Sequence, residues 1–245
     1  MALSVTSAMT GGIRRAANRN GLLLSLALVA IGAVWQLLFY SAISTAVQPP
    51  GMSAQSVPFP TIDVPLAVSA AGAVVALVGI QYVTVVTMRT FVDGRSGTIP
   101  SEYYTRNIVP VLANAIVGGI LYGLAVLVGS VLLVVPGIIA YVALSFTLLY
   151  ITTEDQNAVA ALASSWHTTR GHWLRLFLLL TVVFVLLSLA QGVLSLLAQA
   201  AVAAASGGSL GVLASGVIVL PLSLVVVAIL ADAFVQLNSP DASSH

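Results

Sequence analysis

Lysine and cysteine are absent from this chain, and charge of either sign is scarce: eight arginines face seven acidic residues across 245 positions. Without cysteine there are no disulfides, no thiolate metal ligands and no cysteine nucleophile. Charged residues make up 6% of the sequence and apolar ones 59%, against about a quarter charged in a typical globular domain. A water-soluble domain of this length would have too few polar residues to build its surface, so the composition predicts lipid as the solvent for most of it. The few arginines, with no basic stretch interleaved with aromatics, argue against a nucleic-acid partner.

What the chain does have is long apolar runs. A helix crosses the hydrocarbon core in about 20 residues. Six segments come close to or exceed that length: Gly21–Val47, Val64–Met88, Ile108–Val128, Pro136–Thr152, Leu174–Leu197 and Leu210–Gln236. The first is longer than the roughly 7–15-residue apolar region of a signal peptide, so it reads as a retained helix. The third and fourth belong to one uncharged stretch, which as a single helix would be about twice the bilayer thickness. It must therefore turn, and Gly129-Ser130 and Pro136-Gly137 supply the punctuation, with Pro136 suited to the first turn of the new helix.

The arginines fall in three groups: Arg14, Arg15 and Arg19; Arg89, Arg95 and Arg106; Arg170 and Arg175. Basic loops stay on the cytoplasmic side of a membrane. Six spans place all three groups, and both termini, inside. The expected fold is thus all-α, a polytopic bundle of three helical hairpins with short interfacial helices, forming one membrane domain over residues 1–245. The basic connectors repeat: Ser101, Thr105 and Arg106 match Ser165, Thr169 and Arg170 in position, and Arg19-Asn20-Gly21 is a fainter third copy. An interfacial helix over about 155–170 is expected from the stripe Val159, Leu162, Ala163 and Trp166. Asp155 or Asn157 would cap its start and Gly171 its end.

Asp232 is the acid inside the spans, and intramembrane carboxylates are functional candidates. Gln81 and Gln191 join it as the candidate polar path of a small-solute transporter, the alternative reading; Gln36, Asn114 and Gln199 are further neutral polar residues at depth. Interhelical hydrogen bonding is the commoner use of such groups, and Gly119 and Gly123 form a small-xxx-small pair expected to bring backbones close. Pro221 should kink the last helix or mark a packing irregularity. At the inner surface, Arg95, Arg106, Trp166, Arg170 and Arg175 are the candidate contacts for lipid phosphates or a partner protein.

Catalytic patterns fare poorly. Gly207-Gly208-Ser209-Leu210-Gly211 fits the serine-hydrolase G-x-S-x-G. That chemistry needs a histidine within reach of the serine, and His167, His172 and His245 all fall on the opposite side of the membrane, about 30 Å away. Glu154, Asp155, His167 and His172 lack metal-ligand spacing. No enzyme, metal or cofactor is expected.

The ordered series Val134-Val135-Pro136-Gly137-Ile138-Ile139, Glu154, Ala160-Ala161-Leu162-Ala163-Ser164-Ser165-Trp166 and Thr169-Arg170-Gly171 resembles a pattern of the glycerophosphoryl diester phosphodiesterase membrane-domain superfamily and its six-helix bacterial and haloarchaeal relatives. The motif spans Leu132–Phe177, about a fifth of the chain. The resemblance implies a polytopic membrane domain; in fused members catalysis belongs to a separate soluble barrel that this sequence lacks. The reading is an integral protein of the cell membrane, a non-enzymatic scaffold acting through membrane lipids, a membrane-protein partner or a second copy of itself.

Overall fold

The computed structural model describes residues 3–47, 60–205 and 209–238, with the side chains of 201–218 excepted. All regular structure among the described residues is helical: α1 (Val5–Ala16), α2 (Arg19–Val47), α3 (Leu66–Val92), α4 (Glu102–Thr105), α5 (Ile108–Leu132), α6 (Val134–Ala143), α7 (Thr147–Thr153), α8 (Ala158–Thr169), α9 (Trp173–Ala205) and α10 (Ser209–Asn238). Six stretches are long and apolar enough to cross a membrane: α2, α3, α5, the α6–α7 stretch Val134–Thr153, and most of α9 and α10. Their outer faces are apolar, with Val75 71%, Val131 78% and Leu174 81% exposed. Surfaces of that kind are unfit for water.

Two compact units divide the chain. The first holds residues 1–22, 84–185 and 224–245, the second residues 23–83 and 186–223. In the second, α2 and α3 meet through glycine: a Cβ at Gly72 would lie 2.9 Å from Leu38 Cδ1. Ser41, buried on α2, donates to Leu37 O (2.7 Å) and accepts from Ile62 N–H (2.9 Å), tying the chain before α3 to α2.

The first unit has the larger core, with Phe91, Phe146, Leu149, Ile151, Leu176, Leu179 and Leu224 fully buried. Phe234 of α10 lies edge-on to Phe146 and Tyr150, at 5.6 and 4.9 Å. The expected turn after α5 is present. Leu133 is extended and its N–H closes on Gly129 O at 3.1 Å, while Pro136 occupies the first turn of α6. The two helices touch at glycine, since a Cβ at Gly137 would lie 2.1 Å from Ser130 Oγ.

Close approach therefore occurs at Gly129 and Gly137. A Cβ at Gly119 or Gly123 would meet nothing within 4 Å, which corrects the packing role expected of that pair. Pro221 sits inside α10, which continues on both sides of it.

The fourth span is broken at Leu144–Phe146, between α6 and α7. Backbone groups freed inside a membrane must find partners within the protein, and α8 supplies them. Ser165 Oγ accepts from Phe146 N–H (3.1 Å) and donates to Ala143 O (2.8 Å), and Thr169 Oγ1 donates to the same carbonyl (3.0 Å). Residue size makes this possible: α8 packs through Ala158, Ala161, Ser165 and Thr169. Its apolar stripe Val159, Ala163 and Trp166 stays exposed, with Leu162 half-buried.

The connector repeat appears in the backbone. Arg106 (φ −58, ψ 114) precedes Asn107 at φ 47, and Arg170 (φ −58, ψ 127) precedes Gly171 at φ 87. Both approximate a type II turn, whose positive φ suits asparagine or glycine. Arg19 starts α2 directly and forms no such turn.

Candidate functional site

α3 continues past its expected end at Met88 through the apolar Phe91-Val92, so Arg89 falls within its last turn, near the negative end of the helix dipole. Its side chain is 2% exposed. The planar guanidinium reaches three acceptors: Thr152 O at 2.7 Å, Tyr103 O at 3.0 Å and Asp155 Oδ1 at 3.1 Å. One cation thereby joins α3 to α4, to the end of α7 and to the loop before α8. Asp155, in the left-handed region at φ 52, also receives Arg106 Nε (3.2 Å) and Asn107 Nδ2 (3.0 Å) on its other oxygen. Arg106 adds a bond to Thr153 O at 2.9 Å. The repeated connector residue is thus anchored to the segment beneath α8, and Asn157 rather than Asp155 caps that helix, accepting from Ala160 N–H at 2.9 Å.

Beside this group, Tyr103 donates to Asp93 Oδ2 (2.7 Å), which also pairs with Arg95. The Arg95 guanidinium, and after it the Tyr103 hydroxyl, hold the Asp93 carboxyl below its usual range. Burial and then the bond to Asp93 push the Tyr103 phenol up. A cavity of about 240 Å3 opens between Arg89, Asp93, Tyr103 and Arg106.

A second anchor grips the end of α3 from the amino-terminal helix, which has no counterpart among the expected spans. Arg15 on α1 donates to Phe91 O and Val92 O and pairs with Asp232 Oδ1 at 2.9 Å. Gln236 Nε2 binds the other oxygen of Asp232 at 2.9 Å, and Ser4 N–H reaches Gln236 Oε1 at 3.2 Å. Gly11 is required beneath this pair, because a Cβ there would come within 2.5 Å of Asp232 Oδ1. Asn20, also buried, donates to Arg95 O (3.1 Å) and Gly97 O (2.7 Å).

Among the expected site residues, then, Arg95, Arg106 and Asp232 take part in ion pairs with Asp93, Asp155 and Arg15. Arg170 and Arg175 are exposed and engage no described acidic side chain. Trp166 lies edge-on to Trp173 at 5.1 Å across the α8–α9 turn, and Trp173 Nε1 donates to Thr169 Oγ1 at 3.3 Å. Gln81 and Gln191 are half-buried and belong to the second unit, whereas Asp232 and its partners belong to the first. Asn114 has a packing task, accepting from Ala158 N–H at 3.0 Å. Gly207 and Gly208, the Ser209 side chain and His245 lie outside the described residues. No group of three metal-competent side chains occurs among the described residues.

The principal residues that sequence reasoning missed are Arg89, Arg15 and Asp155. A signal for Arg89 was present: Thr90-Phe91-Val92 continues the apolar run beyond it, which marks a charge inside a helix end rather than in a loop. Arg15 carried no such mark, since its partner lies 217 residues away.

A family model described as "Domain of unknown function (DUF7847)" matches residues 3–237. No curated protein and no solved structure matches the chain.

Proposed function

The chain belongs to the DUF7847 family, and we propose that it is a non-enzymatic integral membrane scaffold, working through lipids or a membrane-protein partner at its arginine-bearing face. The reading includes six spans as three hairpins, both termini cytoplasmic and the cell membrane as the location. The likeness of residues 132–177 to the glycerophosphoryl diester phosphodiesterase membrane domains is part of it, as a membrane domain without catalysis of its own.

The observation that carries the reading is the state of Asp232. The carboxylate that the transporter alternative would use is closed by Arg15 and Gln236, with side-chain exposures of 19% and 12% for the Arg15–Asp232 pair. Arg89, Arg106 and Asp155 are engaged in the same way, as ties between helices. Charge then remains available at the exposed Arg14, Arg19, Arg170 and Arg175, and of these Arg170 and Arg175 lie close in sequence to the exposed Trp166, where lipid phosphates or an acidic partner surface fit. Tryptophan and arginine at headgroup depth suit such an interface.

The test is purification of the full chain from its own membrane in mild detergent, with co-purifying lipids and proteins identified by mass spectrometry. An Arg170→Gln/Arg175→Gln double variant should lose an anionic lipid or a protein partner that the parent retains. Identical co-purified material from both would overturn the assignment of this face.

A further inference from the structure

We propose that the cavity beside the α6–α7 break binds an uncharged, membrane-soluble molecule that presents an oxygen atom to the Ser145 hydroxyl. The cavity, about 200 Å3, is lined by Gly119, Tyr122, Tyr141, Ser145, Thr147 and Leu180 together with other apolar side chains. It belongs entirely to the first unit and is separate from the arginine face, so it stands or falls apart from the scaffold reading.

Ser145 lies midway along the broken span, in the three-residue interruption itself. Two neighbouring hydroxyls have acceptors: Thr147 Oγ1 donates to Leu144 O at 2.7 Å, and Tyr122 OH donates to Tyr141 O at 3.4 Å, while Tyr141 itself is exposed. Ser165 and Thr169 hold the freed backbone from the α8 side. Ser145 Oγ is the exception, buried and without a hydrogen-bond partner among the described residues. In hydrocarbon no water is at hand to compensate such a group.

The walls restrict what can compensate it. No charged side chain lines the cavity, so an ion entering it would lose its solvation without a counter-charge. A chain of waters is poorly served as well, because each buried water needs about two to four polar partners and, among the described lining residues, Ser145 is the one with a buried side-chain polar atom left without a partner. An apolar molecule with a hydroxyl or carbonyl oxygen satisfies both the walls and the serine. Gly119 lines the cavity without a side chain, and a Cβ there would meet nothing within 4 Å.

The experiment uses the full chain in phosphatidylcholine vesicles and two photoactivatable probes. One is a long-chain alcohol carrying a diazirine, the other its hydrocarbon analogue without the hydroxyl. Cross-linked peptides are mapped by mass spectrometry. The alcohol should label the segments around Tyr122 and Ser145. Ser145→Ala should lower that labelling about fivefold, the equivalent of one net hydrogen bond of about 1 kcal/mol. Gly119→Leu should abolish it by filling the space, whereas Gly123→Leu, equally free of clashes and off the cavity, should leave it unchanged. Equal labelling by the hydrocarbon, or alcohol labelling insensitive to both Ser145→Ala and Gly119→Leu, would overturn the proposal and mark the cavity as water-filled or as ordinary lipid-contact surface.

Discussion

Replacing Arg89 with leucine removes the three hydrogen bonds that converge on the end of α3, and the structure sets the size of the loss. A bond to a charged group contributes about 1.5–3 kcal/mol, and breaking a buried ion pair costs about 3–5 kcal/mol. The lower end applies here, because Asp155 keeps Arg106 Nε and Asn107 Nδ2 and its charge is not stranded. Two buried carbonyls, Thr152 O and Tyr103 O, do lose their donor. The expected destabilisation is about 3 kcal/mol for Arg89→Leu. Arg89→Lys should lose about half of that, since one ammonium nitrogen cannot stand in for the three separate guanidinium nitrogens that reach these acceptors. Arg95→Gln is the control: its ion pair is on the surface, with the arginine side chain 55% exposed, and should shift stability far less. Titration of the purified chain in mixed micelles with a denaturing detergent, followed by tryptophan fluorescence, reads all three. An Arg89→Leu shift no larger than that of Arg95→Gln would refute the anchoring role.

Three other outcomes are expected from the same geometry. A double-mutant cycle on Arg15→Gln and Asp232→Asn should give a coupling energy of about 0.5–3 kcal/mol in the same titration; strict additivity would show that α1 does not dock through this pair. Asp93, whose folded-state pKa is lowered chiefly by Arg95 and then by Tyr103, contributes stability that is fully present above the ordinary carboxylate pKa of about 3.9. That contribution is lost as pH falls through the lowered value, so the gap in melting temperature between the parent and Asp93→Asn should close on acidification, and a gap constant with pH would count against it. Because the chain has no cysteine, single cysteines can report topology directly: Asp63→Cys should react with an impermeant maleimide from outside intact cells and Ser96→Cys only after permeabilisation, and reaction of both from the same side would break the six-span threading.

The spans were legible because they rest on length and hydropathy, which are local properties. The α5–α6 turn was legible for a related reason: Leu133 turns where an uninterrupted helix would have overrun the bilayer, and Pro136 suits the first turn of the next helix. The interruption at Leu144–Phe146 was not legible. Nothing in Ala143-Leu144-Ser145-Phe146 breaks a helix by itself, and the break is stabilised by Ser165 and Thr169 of another helix. Gly119 and Gly123 misled in the opposite way. A small-xxx-small pair permits close approach but does not require it, and the contact formed at Gly129 and Gly137, where chain reversal already forces the helices together.

The arginines divide along the same line between what a residue permits and what its surroundings make of it. As a topology signal all eight are equivalent, because the rule counts charges near helix ends and ignores what they touch. The structure makes them unequal. Arg15, Arg89, Arg95 and Arg106 each meet a carboxylate, and Arg89 is buried so deeply that losing its partners would leave a charge without water. The connector repeat sharpens the contrast. Arg106 and Arg170 share a backbone turn, yet Arg106 is tied to Asp155 whereas Arg170 engages no described acid. A shared turn held by a pair in one copy and left free in the other separates the structural use of the residue from its surface use. It is this difference between equivalent positions, more than the presence of basic residues, that supports the α8–α9 end as the proposed working surface.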